Sequence, residues 1–450
     1  MASTKLTRAY GSGVTGNRSK WTFSGWVKKA STGSEQTIMS VYSNSSYYTD
    51  IGFTNEDQIN FFDLYNGGIN GRVRTLSKMR DCNGWTHIVC VFDRNNATSG
   101  DKIRLWVNGI RITGSLASQE SMPSNATTLN SDDQTLTIGA KNNASYFDGE
   151  MSHLHFCDGY AYDASYFGST DSTTGEWKIN TSPSVTYGTQ GWFWLKDNNA
   201  TTDNSSNSNT FTVGNGTLTK TEDNPSNVFA TMNFLNVPTS NLPTFSNGNT
   251  TTVSSTNGSG RFGGSSTLGI VSGKFYIEAK ATVDSQYSRN VIGISGDANT
   301  LARNNASFFG SDQESSGWYS ENGVINYNNS AQYTAATYTT GDIIQIAIDL
   351  DNNRLFYGKN GTWQNSGNPT TSTGAITLNG ASACNDGAYF ICQADDTGTS
   401  AVSKFEFNFG NGYFGTTAVS SAGTNASNNG IFEYDVPSGY TALSTKGLNL

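Results

Sequence analysis

The stretch Gly341 to Gly361, GDIIQIAIDLDNNRLFYGKNG, spells a strand, a turn and a returning strand. Ile344, Ile346, Ile348 and Leu350 fall on one side of an extended chain, and Ile343, Gln345, Ala347 and Asp349 on the other. Asp351, Asn352 and Asn353 tolerate the left-handed backbone of a tight hairpin, so Leu355 to Tyr357 is expected to return as the paired strand. Lys359-Asn360-Gly361 closes the unit with a second polar turn. Further along, Phe405, Phe407 and Phe409 alternate with Lys404, Glu406 and Asn408, the pattern of a strand with one buried and one wet face.

The first half follows the same grammar. Trp21 to Lys28 (WTFSGWVK) is an aromatic strand. Trp85 to Asp93 sets Ile88, Cys90 and Phe92 against His87, Val89 and Val91, and Lys102 to Gly109 places Ile103, Leu105 and Val107 on one face before a turn at Asn108-Gly109. Phe147 to Glu150 precedes another strand, Met151 to Phe156. Helix-favouring runs are absent. The expected fold is therefore all-β, two jelly-roll β-sandwich domains in tandem over residues 1–200 and 246–450. Residues 201–245 read as a polar linker holding one apolar island, Asn227 to Val237, which is expected to pack on one of the sandwiches, because Phe229, Met232, Phe234 and Leu235 would otherwise form an exposed patch.

A chain of 450 residues is long enough for both cores, each half burying roughly 70% of its unfolded surface. Charged residues are 14% of the chain and the net charge is −9, which argues against nucleic-acid binding, since phosphate contacts need clustered Lys and Arg. Met1 to Gly13 lacks the apolar core of a signal peptide, and no run of eighteen apolar residues occurs, so no membrane insertion is expected. Five cysteines, Cys82, Cys90, Cys157, Cys384 and Cys392, show no metal-type spacing and read as buried thiols.

Little in the chain spells catalysis. No paired-carboxylate E-x-D-x-x-E run, G-x-S-x-G elbow or P-loop occurs, so no catalytic residue is assigned and the chain is read as a non-enzyme. His153 and His155, two apart on a strand, could form half a zinc site with Asp158, but no third ligand is evident and two histidines on a wetter strand face explain them. Aromatics among amide and hydroxyl groups suit sugar recognition, where a ring face stacks on pyranose C–H groups. The candidate ligand-binding residues are Trp318, Tyr319, Tyr327 and Trp363 in the second domain and Tyr47, Tyr48 and Tyr146 in the first, each alternatively a cover for a sandwich end.

The hairpin and its neighbours, Gly273 to Glu278, Asn290 to Ile294, Gly317 to Tyr319, Tyr389 to Ile391, Phe405 to Gly410 and Pro437 to Tyr440, resemble SPRY domains. The first half, with W-x-x-S-x-W-V from Trp21, G-W-x-H-I-V from Gly84, I-x-L-W-V-N-G from Ile103 and F-D-G-E from Phe147, is similar to laminin-G-like (concanavalin-A-like) domains. That resemblance implies a concanavalin-A-like sandwich that can hold calcium at one rim, with Asp93 and Asp148 the aspartates in question; no other cofactor is implied. The combination, with Leu6 to Arg8, Ser165 to Gly168 and the ending Pro437 to Ser444, resembles tailed-bacteriophage virion proteins. It implies a many-copy protein of the virion surface, assembled in the bacterial host cytoplasm, whose partners are other virion proteins (capsid or fibre base) and host-surface glycans. Capsid decoration, head fibre or knob fits better than a long tail fibre or receptor-binding protein, because no coiled or β-helical shaft repeat is present. A glycan-degrading enzyme of concanavalin-A-like fold and an intracellular peptide adaptor are the competing classes.

Overall fold

In the computed structural model, which describes residues 3–13, 16–113, 116–120, 123–196, 201–239, 242–254, 262–283, 290–299, 309–310, 314–395 and 403–449, antiparallel strands dominate and the chain divides into two units, Met1–Lys220 and Thr221–Leu450.

The first unit opens with β1 (Lys5–Ala9), β2 (Lys20–Lys29), β3 (Gln36–Asn44), β4 (Tyr47–Phe53), β5 (Gln58–Tyr65) and β6 (Gly68–Lys78). There follow β7 (Thr86–Asp93), β8 (Ile103–Val107), β9 (Ile110–Arg111), β10 (Leu116–Glu120) and β11 (Thr135–Ile138). It ends with β12 (Gly149–Asp158), β13 (Gly168–Thr170), β14 (Trp177–Ile179), β15 (Trp192–Trp194) and β16 (Thr212–Asn215). One sheet runs β10-β6-β5-β4-β3-β11-β1-β16 and a second β15-β12-β2-β7-β8-β9. Their facing sides share a core that includes Trp21, Phe23, Ile51, Phe61, Phe92 and Phe156, as the alternation requires. The outer side of the second sheet is not wet: Val89, Val91, Trp106 and Cys157 are covered by Ala164, Phe167 and Trp177 from the segment after β12. All five cysteines are buried and none is in a disulfide.

The second unit contains β17 (Thr244–Ser246), β18 (Thr251–Val253), β19 (Phe262–Ser265), β20 (Lys274–Val283), β21 (Asn290–Ser295) and β22 (Ser315–Tyr319). Next come β23 (Val324–Tyr327), β24 (Ser330–Thr334), β25 (Ile343–Asp349), β26 (Arg354–Lys359), β27 (Thr362–Trp363) and β28 (Ile376–Thr377). The last are β29 (Phe390–Asp395), β30 (Lys404–Asn408), β31 (Tyr413–Phe414), β32 (Thr417–Ala418) and β33 (Thr441–Ala442). The order β17-β18-β30-β20-β25-β26-β27 faces β19-β29-β21-β22-β23-β24. Ile344, Ile346, Ile348 and Leu350 line the core between them with Phe405, Phe407 and Phe409. The hairpin pairs Asp349 with Arg354, and Asn353 takes the left-handed conformation (φ 54°). Its other side is also buried, because Phe229, Phe432, Val436, Tyr440 and Ala442 pack over Tyr276, Ala347 and Phe356.

The linker expected over 201–245 is instead shared between the units. Phe211 enters the first core and β16 pairs with β1, whereas Ala230 and Met232 enter the second core and Ala230 N–H donates to Leu443 O (2.9 Å). Apolar side chains recruit a polar-looking segment wherever a core can take them.

Candidate functional site

The solvent side of the eight-stranded sheet gathers aromatic and charged side chains from strands that are distant in sequence. Register places Ser40, Asp50, Phe62 and Arg72 directly opposite one another across β3, β4, β5 and β6. Two neighbouring rows lie on the same face: Tyr42, Tyr48 and Leu64 to one side, and Gly52, Asn60 and Arg74 to the other. The alternate residues, Ile51, Phe61 and Val73, point into the core. One alternation therefore builds the core and this face together.

Tyr48 is central. Its ring packs on Phe62 (5.4 Å between centroids, stacked) and on Tyr42 (5.6 Å), and the Lys141 ammonium lies 5.3 Å from its centroid. Arg72 covers Phe62 from the far side at 5.8 Å. At the sheet end Tyr47 meets Tyr65 edge-on at 5.3 Å, and its hydroxyl donates to Asn66 Oδ1 (3.2 Å).

The polar groups on this face are incompletely paired. Lys141 bridges Glu35 (2.6 Å) and Asp50 Oδ2 (3.5 Å), but Asp50 Oδ1, Asn60 Oδ1 and Arg74 Nε are buried without a hydrogen-bond partner in the protein. Burial pushes the Asp50 carboxyl up to about 6 against the pull of Lys141. Burial lowers the Lys141 ammonium, yet Asp50 and Glu35 raise it further, so it stays charged. Orphaned polar atoms beside stacked aromatics suit a ligand that brings both hydroxyls and ring faces.

Of the residues expected from sequence, Tyr47 and Tyr48 belong to this face, and Tyr146 is half-buried in the loop before β12, bridged to Thr37. Trp363 is half-buried and packs edge-on against Tyr276 (6.3 Å) and Phe356 (6.4 Å). Trp318, Tyr319 and Tyr327 are core residues, 0%, 7% and 5% exposed. Their polar atoms are satisfied inside: Trp318 Nε1 donates to Ala336 O (3.1 Å), Tyr319 OH to Phe309 O (2.7 Å), and Tyr327 OH accepts from Asn379 N (2.8 Å). No ring face there is open to a sugar. Tyr42, Asp50, Phe62, Arg72, Arg74 and Lys141 escaped the sequence reading. The alternation in QINFFDLY marks Phe62 as outward, but not the residues opposite it.

The calcium expectation fails on distance. Asp93 pairs with Lys20 at the start of β2 and Gly149, next to Asp148, with Lys29 at its end, on the order of 30 Å away at about 3.3 Å per residue. Asp93 is held by Lys20 (3.6 Å) and Arg104 (4.0 Å). No group of three or more metal-ligating side chains occurs among the described residues. His153 and His155 do share a face, both against the Phe193 ring, but His155 is buried and bonded through Nδ1 to Tyr187 OH (2.9 Å). Asp158 is occupied by Asn17, Asn130, Thr189 and Gln190.

Two serine–histidine contacts occur among the described residues: Ser152 Oγ with the adjacent His153 Nδ1 (2.7 Å), and Ser24 Oγ with His87 Nε2 (2.8 Å) across two strands. Trp177 Nε1–H, which can only donate, points at His87 Nδ1 (3.0 Å), so the imidazole proton sits on Nε2 and is donated to Ser24. Burial lowers His87 to about 3, keeping it neutral, and Trp26 stacks on it at 4.8 Å. Such a histidine cannot take the serine proton.

Comparison with known families agrees with the two sandwiches. Residues 7–165 match the Laminin_G_3 profile, described as the concanavalin A-like lectin/glucanases superfamily, and residues 274–374 match the SPRY domain profile. Solved structures similar to parts of the chain include the SPRY domain of human HERC1 (16% identity, 35% of this chain and 86% of that one, TM-score 0.27). They also include a heptameric SAP-like pentraxin from Limulus polyphemus (16%, 34% and 69%, 0.25) and a human SPRY domain (15%, 35% and 89%, 0.26). No curated protein matches the sequence. The chain thus carries a concanavalin-A-like domain of the lectin/glucanase superfamily in its first half and a SPRY domain in its second.

Proposed function

We propose that this chain is a non-enzymatic surface protein of a bacteriophage virion, present in many copies, that binds host-surface glycans through the outer face of the eight-stranded sheet. The observation that carries the binding role is the Tyr42–Tyr48–Phe62 ladder flanked by Lys141 and Arg72, with the unpaired Asp50 Oδ1 and Asn60 Oδ1 beside it. Stacking supplies sequence-tolerant affinity for a ring, the polar side chains around the ladder offer partners for hydroxyls, and many copies multiply a modest single-site affinity. The virion role is supported by the ordered motifs quoted above and by the pairing of these two domain types.

A second reading, glycan hydrolysis, draws on one observation: Glu35 and Asp50 both reach the same ammonium on this face. Both carboxylates are engaged by Lys141 and Asp50 is 5% exposed, so the pair is held by an ammonium and not set out to flank a glycosidic bond. Binding without cleavage is the better fit.

The test uses the full chain displayed multivalently on host cells and on purified envelope or capsule glycans. Tyr48→Ala and Phe62→Ala are expected to weaken binding by about 3–10-fold each, the worth of one aromatic contact. Undiminished binding by both variants, or none by the parent, overturns the site. Release of reducing sugar that is lost in Asp50→Asn would overturn the non-enzymatic reading, and absence of the chain from purified particles the virion role.

A further inference from the structure

We infer that the saccharide held on the Tyr48/Phe62 face is acidic, with a carboxylate or other anionic substituent seated at Arg74 and its ring stacked on Phe62. The inference rests on the glycan-binding reading above and adds the ligand's charge.

Arg74 is half-buried, its Nε has no hydrogen-bond partner, and no acid pairs with it among the described residues. Two other part-buried cations have acids beside them. Arg104 has Asp93 within 4.0 Å, and Lys141 has Glu35 and Asp50. A guanidinium with one N–H buried and no acid beside it is incompletely neutralised, so its place on this face points to an acceptor that arrives with the ligand.

Position fits the chemistry. Arg74 is one row along from the Phe62–Arg72 pair, placing its stem roughly 7–8 Å diagonally from Phe62. That is within reach of a substituent on a ring lying over Phe62. The row is completed by Asn60, a half-buried amide, and by Gly52, which carries no side chain. A Cβ on Gly52 would come within 2.2 Å of Gln36 O, so the β3 backbone itself keeps a side chain from this position. The planar guanidinium fork then meets a carboxylate in two parallel hydrogen bonds, which a lysine cannot do. Asp50 and Glu35 are both tied to Lys141 and so do not pair with Arg74.

The experiment compares the full chain on polygalacturonate, alginate and polysialic acid with the carboxyl-reduced form of each polymer, at low and high salt. At least one acidic polymer is expected to bind about 10–100-fold more tightly than its reduced form, with the difference fading as salt rises. Arg74→Gln should abolish that preference while leaving residual binding to the reduced polymer, Arg74→Lys should restore part of it, and Phe62→Ala should weaken both forms. Equal binding of acidic and reduced polymers, unchanged in Arg74→Gln but weakened in Phe62→Ala, overturns the acidic ligand and leaves the binding face standing. No binding to any acidic polymer overturns the inference, and loss of all binding to neutral and acidic polymers alike takes the binding face with it.

Discussion

At the scale of single residues, the buried histidines show how position decides chemistry. His87 carries the same imidazole as any catalytic histidine, but an indole N–H on Nδ1 fixes its tautomer and burial keeps it neutral. Its folded value near 3 lies below the unfolded value of about 6.5, so the unfolded chain takes up a proton that the folded chain refuses. The stability it contributes is present above pH 6.5 and is lost as pH falls, by about 1.4 kcal/mol per pH unit. His87→Phe should be less stable than the parent at pH 7, because Ser24 and Trp177 lose a partner, yet lose less on acidification from pH 6.5 to 4. Thermal melts across that range would show it, and parallel slopes for parent and variant would contradict the assignment.

At the scale of elements, two contacts tie segments to the second sandwich. Glu278 on β20 is buried and accepts from Tyr276 OH (2.9 Å), Glu433 N (2.8 Å), Tyr434 N (2.8 Å) and Asn408 Nδ2 (3.3 Å), fastening the stretch around Phe432 to the sheet. Burial pushes its carboxyl up to about 7 in spite of these donors. The sign is opposite to that of His87: the folded chain holds the proton more tightly, so this contribution is full below about pH 4.5 and declines as pH rises to 7. Glu278→Gln sets an amide N–H against donors that formerly met an oxygen, and should cost about 2–3 kcal/mol at pH 8, read from denaturant melts of the second unit. At the hairpin, Asp351 Oδ1 accepts from Gly273 N (2.8 Å) while Asn353 holds the left-handed turn. Asn353→Val should cost about 1–2 kcal/mol and Asn353→Gly almost nothing, and equal losses would rule out backbone conformation as the cause.

At the scale of the whole chain, the division falls at Lys220 and Thr221, not at the edge of the polar tract. Phe211 packs in the first core against Trp194 (4.4 Å between centroids), Arg8 Nη2 reaches Asn209 Oδ1 (2.6 Å), and β16 extends the eight-stranded sheet. A fragment ending at residue 220 should therefore melt cooperatively, whereas one ending at residue 200 loses a buried phenylalanine and an edge strand and should be destabilised by about 3–5 kcal/mol or more. Circular dichroism melts of the two fragments decide this. Equal stability would mean that 201–220 is only a tether.

The sequence by itself determined the strands, the hairpin at 341–361 and the all-β, two-sandwich plan. Those depend on period-two alternation and on turn residues such as Asn353 and Asn108-Gly109, which act over a few bonds. It could not tell which side of a strand a later segment covers. Trp318 and Tyr319 lie on opposite sides of β22, one in the main core and the other beneath Phe309, and only the packing of both sides shows that neither ring is free. The pairing of Tyr48 with Phe62, the isolation of Arg74 and the separation of Asp93 from Asp148 were likewise decided by register between strands distant in sequence. Register is set by the closure of the whole sheet, a property no local window of sequence contains.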